Sequence, residues 1–118
     1  MEININEKNR FLIVQLLGEL DHHSAADVRE RVDKSFTRST AKHIVFDLRG
    51  VGFMDSSGIG MLIGRHRALE NAGGKVFAAG IGAELQRIFA LSGLTKIIGC
   101  YNDTEEAMAS EKGGKKNA

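Results

Sequence analysis

The chain has 118 residues, 42% hydrophobic and 26% charged, with 16 basic and 15 acidic side chains and a net charge of +1. This length fits one domain around one core, and the near-neutral balance offers no field to gather nucleic acid or an anionic membrane. No apolar run approaches the ~20 residues that span a bilayer, the Met1-Glu2-Ile3-Asn4 start lacks a secretory signal's basic and apolar regions, and the lone Cys100 excludes an internal disulfide and fits a reducing, cytoplasmic setting.

Segment 2–8 alternates around Ile3 and Ile5 and reads as an edge strand. Asn9-Arg10 is a hairpin turn, and the short apolar run 11–17 is a central strand. Gly18-Glu19-Leu20-Asp21 leads out of it. Ser24-Ala25-Ala26-Asp27 resembles a capping box with Asp in place of Glu, opening a helix that buries Val28, Val32 and Phe36. Segment 43–48 is a buried strand, and Val51 to Met54 adds a second β-rich run. A helix from about Ser57 to Asn71 carries Ile59, Leu62, Ile63, His66 and Leu69 on one stripe, and Asn71-Ala72-Gly73-Gly74 stops it. Lys75 to Ala79 is a strand. Ala83 to Leu91 is a short helix with Leu85, Ile88 and Phe89 inward, ended by Gly93, and Lys96 to Tyr101 is the last strand. Asp103-Thr104-Glu105-Glu106 is a second capping box, opening a helix to about Ser110, and the Gly/Lys-rich tail 111–118 is expected to be disordered. The β-β-α-β-α-β-α-β-α order predicts an α/β domain over residues 1–110, built on a single mixed sheet of about five strands with about four helices.

The catalytic templates fail. A nucleophile elbow needs glycine two positions before its serine, but Met54 and Asp55 stand there for Ser56 and Ser57. Gly64 leads into Arg65-His66 instead of a phosphate loop's Lys-Ser. In Gly58-Ile59-Gly60-Met61-Leu62-Ile63-Gly64 the third glycine comes one residue late for a dinucleotide fingerprint. Glycine costs a helix about 1 kcal/mol relative to alanine. Gly60 and Gly64 therefore point to close packing or a docking surface. Adjacent His22 and His23 on a helix or strand point apart, and no Cys or Glu-x-x-His joins them, so no metal is expected and a loop-exposed or partner-contacting role is. His43 reads as strand-edge, His66 as helix-surface, Cys100 as a small buried hydrophobe and Arg65-His66-Arg67 as a solvated face.

Asp55-Ser56-Ser57-Gly58 sits where the chain leaves a strand and starts a helix. Such a position is exposed, fixed and electropositive, because the first helical N–H groups lack intrahelical partners. It suits a phosphate. It equally suits a cap in which Ser56 or Ser57 accepts a first-turn bond, worth ~1 kcal/mol over alanine. Local physics favours the cap.

Three motifs in order, Gly18-Glu19-Leu20-Asp21-His22-His23, Phe53-Met54-Asp55-Ser56-Ser57-Gly58-Ile59-Gly60 and Leu91-Ser92-Gly93-Leu94, closely resemble the bacterial anti-sigma factor antagonists, which consist of a STAS domain. The likeness runs from about residue 3 to 110, and the Asp-His-His form resembles the sporulation branch, controlling sigma F, more than the general-stress branch. The resemblance implies a non-enzymatic partner switch with no cofactor of its own, monomeric when free. The unphosphorylated antagonist binds an anti-sigma factor that is also an ATP-using serine kinase, and so releases the sigma factor. The kinase phosphorylates the serine after the motif aspartate, here Ser56, and a PP2C-type phosphatase reverses this. On that basis Asp55 fixes the turn and contacts the kinase, Ser57 is the structural cap and first helical residue, and Gly58 and Gly60 keep the surface low. Asp21, His22 and His23 are further partner contacts. A stress-response antagonist, or the same module within a larger signalling or transport assembly, is the alternative.

Overall fold

The computed structural model describes residues 1–116 and the side chains of residues 1–111. The strands β1 (Glu2–Lys8) and β2 (Phe11–Leu20) form the expected hairpin. It turns at Asn9 and Arg10, whose φ angles of 53° and 69° are both left-handed, the geometry that matches the twist of paired strands. Then follow α1 (Ala25–Arg38), β3 (His43–Met54), α2 (Ser56–Asn71), β4 (Val76–Ala79), α3 (Ala83–Ser92), β5 (Gly99–Tyr101) and α4 (Thr104–Lys116). The sheet order is β1-β2-β3-β4-β5, with β1 antiparallel to β2 and every other neighbouring pair parallel. Parallel neighbours need crossover connections, and α1, α2 and α3 supply them. The α/β architecture is the one expected, a mixed five-stranded sheet with four helices.

Both faces of the central strands are covered, so β3 opens as a continuous buried run from His43 to Leu48 instead of alternating. On one face Val28 and Val32 of α1, Met61 and Leu62 of α2, and Leu85 and Phe89 of α3 pack against strand residues including Leu16, Phe46 and Leu48. On the other, Phe11, Val45, Phe77 and Ala79 meet Ala107 and Met108 of α4. Each of the Val, Leu, Phe and Met side chains contributes about 1.5–3 kcal/mol by burial.

Several boundaries move. Strand β2 runs on to Leu20, and the two apolar runs 43–48 and 51–54 are one strand, because β2 and β3 stay paired through Leu20 and Met54 across two register irregularities. Where the last strand was expected from Lys96, a 3₁₀ turn (Leu94–Lys96) comes first and β5 is short. Helix α4 continues beyond Ser110 to Lys116; the expected disorder of the tail otherwise lies outside the described residues. The first capping box does not form. Ser24 Oγ instead donates to Glu19 O at 2.8 Å and accepts from Asp21 N at 3.1 Å, so the hydroxyl is committed to the end of β2. The second box forms in half: Glu106 N donates to Asp103 Oδ1 at 2.8 Å, but the Glu106 carboxylate accepts from Asn102 N, one residue before the cap, and not from Asp103 N.

Candidate functional site

The β2–β3 pair extends past the rest of the sheet, and its carboxyl end carries the site. Leu20 and Met54 are register partners, both buried, and Asp55 N donates to Leu20 O at 3.3 Å. The two chain segments that leave these strands therefore start side by side.

The cap of α2 is Asp55, not Ser57. Its Oδ1 accepts from Ser57 N at 2.8 Å and from Gly58 N at 3.3 Å. Its extended backbone (φ −105°, ψ −170°) is that of an N-cap. The carboxylate suits this position better than a hydroxyl because it also spans the gap to β2: Oδ2 accepts from His22 N at 3.2 Å. Ser56 consequently becomes the first helical residue. It is exposed, and its hydroxyl makes no hydrogen bond among the described residues. The first turn of α2 holds no acidic side chain, so Asp55 is the anion that faces its positive end.

Desolvation pulls the Asp55 pKa up, but the N–H bonds from Gly58, Ser57 and His22, with the His22 charge, outweigh it and hold the carboxyl below its ordinary 3.8. A depressed folded-state pKa stabilises the fold above the unfolded value, and that contribution is lost as pH falls through the lowered one. Asp55→Asn keeps a cap acceptor and removes the charge. It is expected to lower the melting temperature at neutral pH, with the difference from wild type fading below the ordinary value of 3.8. A melting series in pH checks this, and a pH-independent difference contradicts it.

Asp21, His22 and His23 meet this cap from the neighbouring strand end. Asp21 Oδ1 accepts from His23 N at 3.0 Å, and His22 Nδ1 lies 3.9 Å from Asp55 Oδ2. The two imidazoles do not point apart. They lie in a turn, where strand or helix periodicity does not apply, and their ring centroids are 3.9 Å from each other. Among the described residues no group of three or more His, Cys, Asp or Glu side chains is placed to hold a metal ion.

The glycines divide. Gly58 is buried, and a Cβ there would overlap the Leu20 carbonyl oxygen, so its role is internal packing, not a lowered surface. Gly60 is exposed, and a Cβ there would meet nothing within 4 Å. Arg65 departs from the expected solvated face: its side chain is 12% exposed and lies against Asp33 of α1. His43 is buried, not at an edge, because its Nδ1 accepts from Lys75 N at 3.0 Å and its ring packs on Phe11. Cys100 is exposed on the edge strand β5, where partial burial of the thiol pushes its pKa up. Sequence reasoning assigned Asp55 the turn-fixing role that these bonds show, but placed the cap on a serine and missed the Arg65–Asp33 pair. Asp ranks with Ser as an N-cap, so the cap was within reach; the pair joins two helices and leaves no local trace.

The sequence pattern of the STAS domain matches residues 2–107. This chain belongs to the STAS domain family. This STAS domain is 35% identical over 108 residues to the anti-sigma F factor antagonist of Paenibacillus polymyxa, covering 92% of each chain. It is also similar to solved structures of SpoIIAA. The unphosphorylated anti-sigma factor antagonist matches with TM-score 0.73 at 24% identity, over 96% of this chain and 99% of that one. The phosphorylated Bacillus cell fate determinant matches with TM-score 0.72 at 26% identity, over 92% and 98%. Among the described residues no helix of this STAS domain is long and apolar enough to cross a membrane.

Proposed function

We propose that this STAS domain is an anti-sigma factor antagonist switched by phosphorylation of Ser56. What carries the reading is the Ser56 hydroxyl itself: exposed, without a hydrogen bond, and first in a helix whose start is pinned by Asp55 to the Asp21-His22-His23 turn. No side-chain base is hydrogen-bonded to it. It is therefore a phosphate acceptor and not an activated nucleophile, and the kinase supplies the base. Unphosphorylated, the domain binds an anti-sigma factor that is also a serine kinase carrying its own ATP, and frees the sigma factor. A PP2C-type phosphatase restores that state. The protein works in the cytoplasm, is monomeric when free and catalyses nothing itself. Sigma F is the controlled factor, on the name of the Paenibacillus polymyxa relative and the Asp21-His22-His23 turn. Asp55 and the 21–23 turn present Ser56 and flank the contact, Ser57 follows it within the first turn, and Gly60 keeps the surface bare.

Incubation with the cognate anti-sigma kinase and ATP is expected to place one phosphate on Ser56, read by mass spectrometry. Ser56→Ala is expected to abolish incorporation without changing the fold. Phosphate found elsewhere with Ser56 untouched contradicts the assignment.

A further inference from the structure

Helices α1 and α2 leave a groove of about 380 Å³ between them, lined by Ala25, Ala26 and Arg29 on one side and Gly60, Gly64 and Arg65 on the other, with Ser57 at the helix-start end. Its glycine floor is not needed for packing within the domain, since a Cβ at Gly60 or Gly64 would meet nothing within 4 Å. Glycine inside a helix is nonetheless destabilising relative to alanine. A floor kept bare without an internal reason fits a surface that another backbone approaches closely.

The arginines say what kind of backbone. Arg65 Nε lies 3.0 Å from Asp33 Oδ1, an ion pair that leaves the side chain 12% exposed in the groove wall. Arg29 stands exposed on the opposite wall, so the groove carries two guanidinium groups against the single Asp33 carboxylate. Guanidinium groups favour carboxylates, which they can hold with paired hydrogen bonds.

We propose that this groove receives an acidic segment of the anti-sigma factor, its backbone crossing Gly60 and Gly64 and its carboxylates meeting Arg29, beside the Arg65–Asp33 pair. This rests on the antagonist reading above. It extends the contact from the Ser56 end of α2 along the α1 side of that helix. It also gives the phosphate on Ser56 something to repel, since Ser57 ends the groove.

The test uses the full chain and its cognate anti-sigma factor. The double variant Gly60→Ala/Gly64→Ala is expected to melt at a higher temperature and yet bind at least tenfold more weakly. Arg29→Glu, on an exposed position, is expected to weaken binding by a similar factor with the melting temperature unchanged. Full affinity in both variants overturns the groove and leaves the antagonist reading standing. A lowered melting temperature in the double variant also overturns it, because the glycines then serve the fold. Self-association lost in the variants, with anti-sigma binding unchanged, assigns the groove to a second copy and overturns it too. Failure of the wild type to bind overturns the antagonist reading and the groove together.

Discussion

Ser56→Asp is expected to weaken anti-sigma factor binding by about fiftyfold while leaving the fold and the melting temperature near those of the wild type. Two unit charges 6–7 Å from each other at an effective dielectric of about 20 repel by about 2.5 kcal/mol. That corresponds to roughly seventyfold in affinity, trimmed by salt screening at an exposed site. A phosphate, with a charge of about −1.5 to −2, roughly doubles the energy. The fold tolerates the new charge for a local reason. Ser56 is exposed, makes no side-chain hydrogen bond among the described residues, and sits at the positive end of a helix whose first turn holds no acidic side chain. Calorimetric affinity and circular dichroism check both halves; equal binding by Ser56→Asp and wild type contradicts the charge mechanism.

Gly58→Ala is expected to be the most damaging small substitution near the site, costing about 3 kcal/mol and roughly 10 °C in melting temperature. The added Cβ overlaps the Leu20 carbonyl oxygen and lies 2.9 Å from both Leu20 Cγ and Met54 Cγ. The carbonyl cannot retreat, because it accepts from Asp55 N and Leu20 is the register partner of Met54. Relief therefore requires α2 to lift from the sheet just where Ser56 is presented, so binding falls as well. Denaturant melts check this, and an unchanged midpoint contradicts it. Two residues away, alanine at Gly60 meets only open space, so neighbouring glycines respond with opposite sign.

That contrast shows what was legible in the sequence. Apolar runs and their spacing disclosed the order of strands and helices, because burial on both sheet faces writes itself into local composition. The stops at Gly73 and Gly93 were equally legible, since both take the left-handed φ, 83° and 82°, that glycine favours. The site was legible as a place: Asp55 to Gly58 at the end of one strand and Asp21 to His23 at the end of its neighbour. Its wiring was not. Asp55 is the cap because its second oxygen reaches His22 N across the sheet, a contact 33 residues away in sequence. Gly58 and Gly60 look alike in a motif and differ only in what lies above them. His43 and Arg65 read as surface residues because Lys75 and Asp33, the groups that hold them, come from other elements.

The most direct test is the affinity of the cognate anti-sigma factor for this protein before and after stoichiometric phosphorylation at Ser56, measured on one preparation. The account predicts tight binding of the unphosphorylated form and a loss of roughly a thousandfold on phosphorylation, equivalent to about 4 kcal/mol, with an unchanged circular dichroism spectrum. Equal affinity for the two forms, or a loss of affinity that accompanies unfolding, contradicts it.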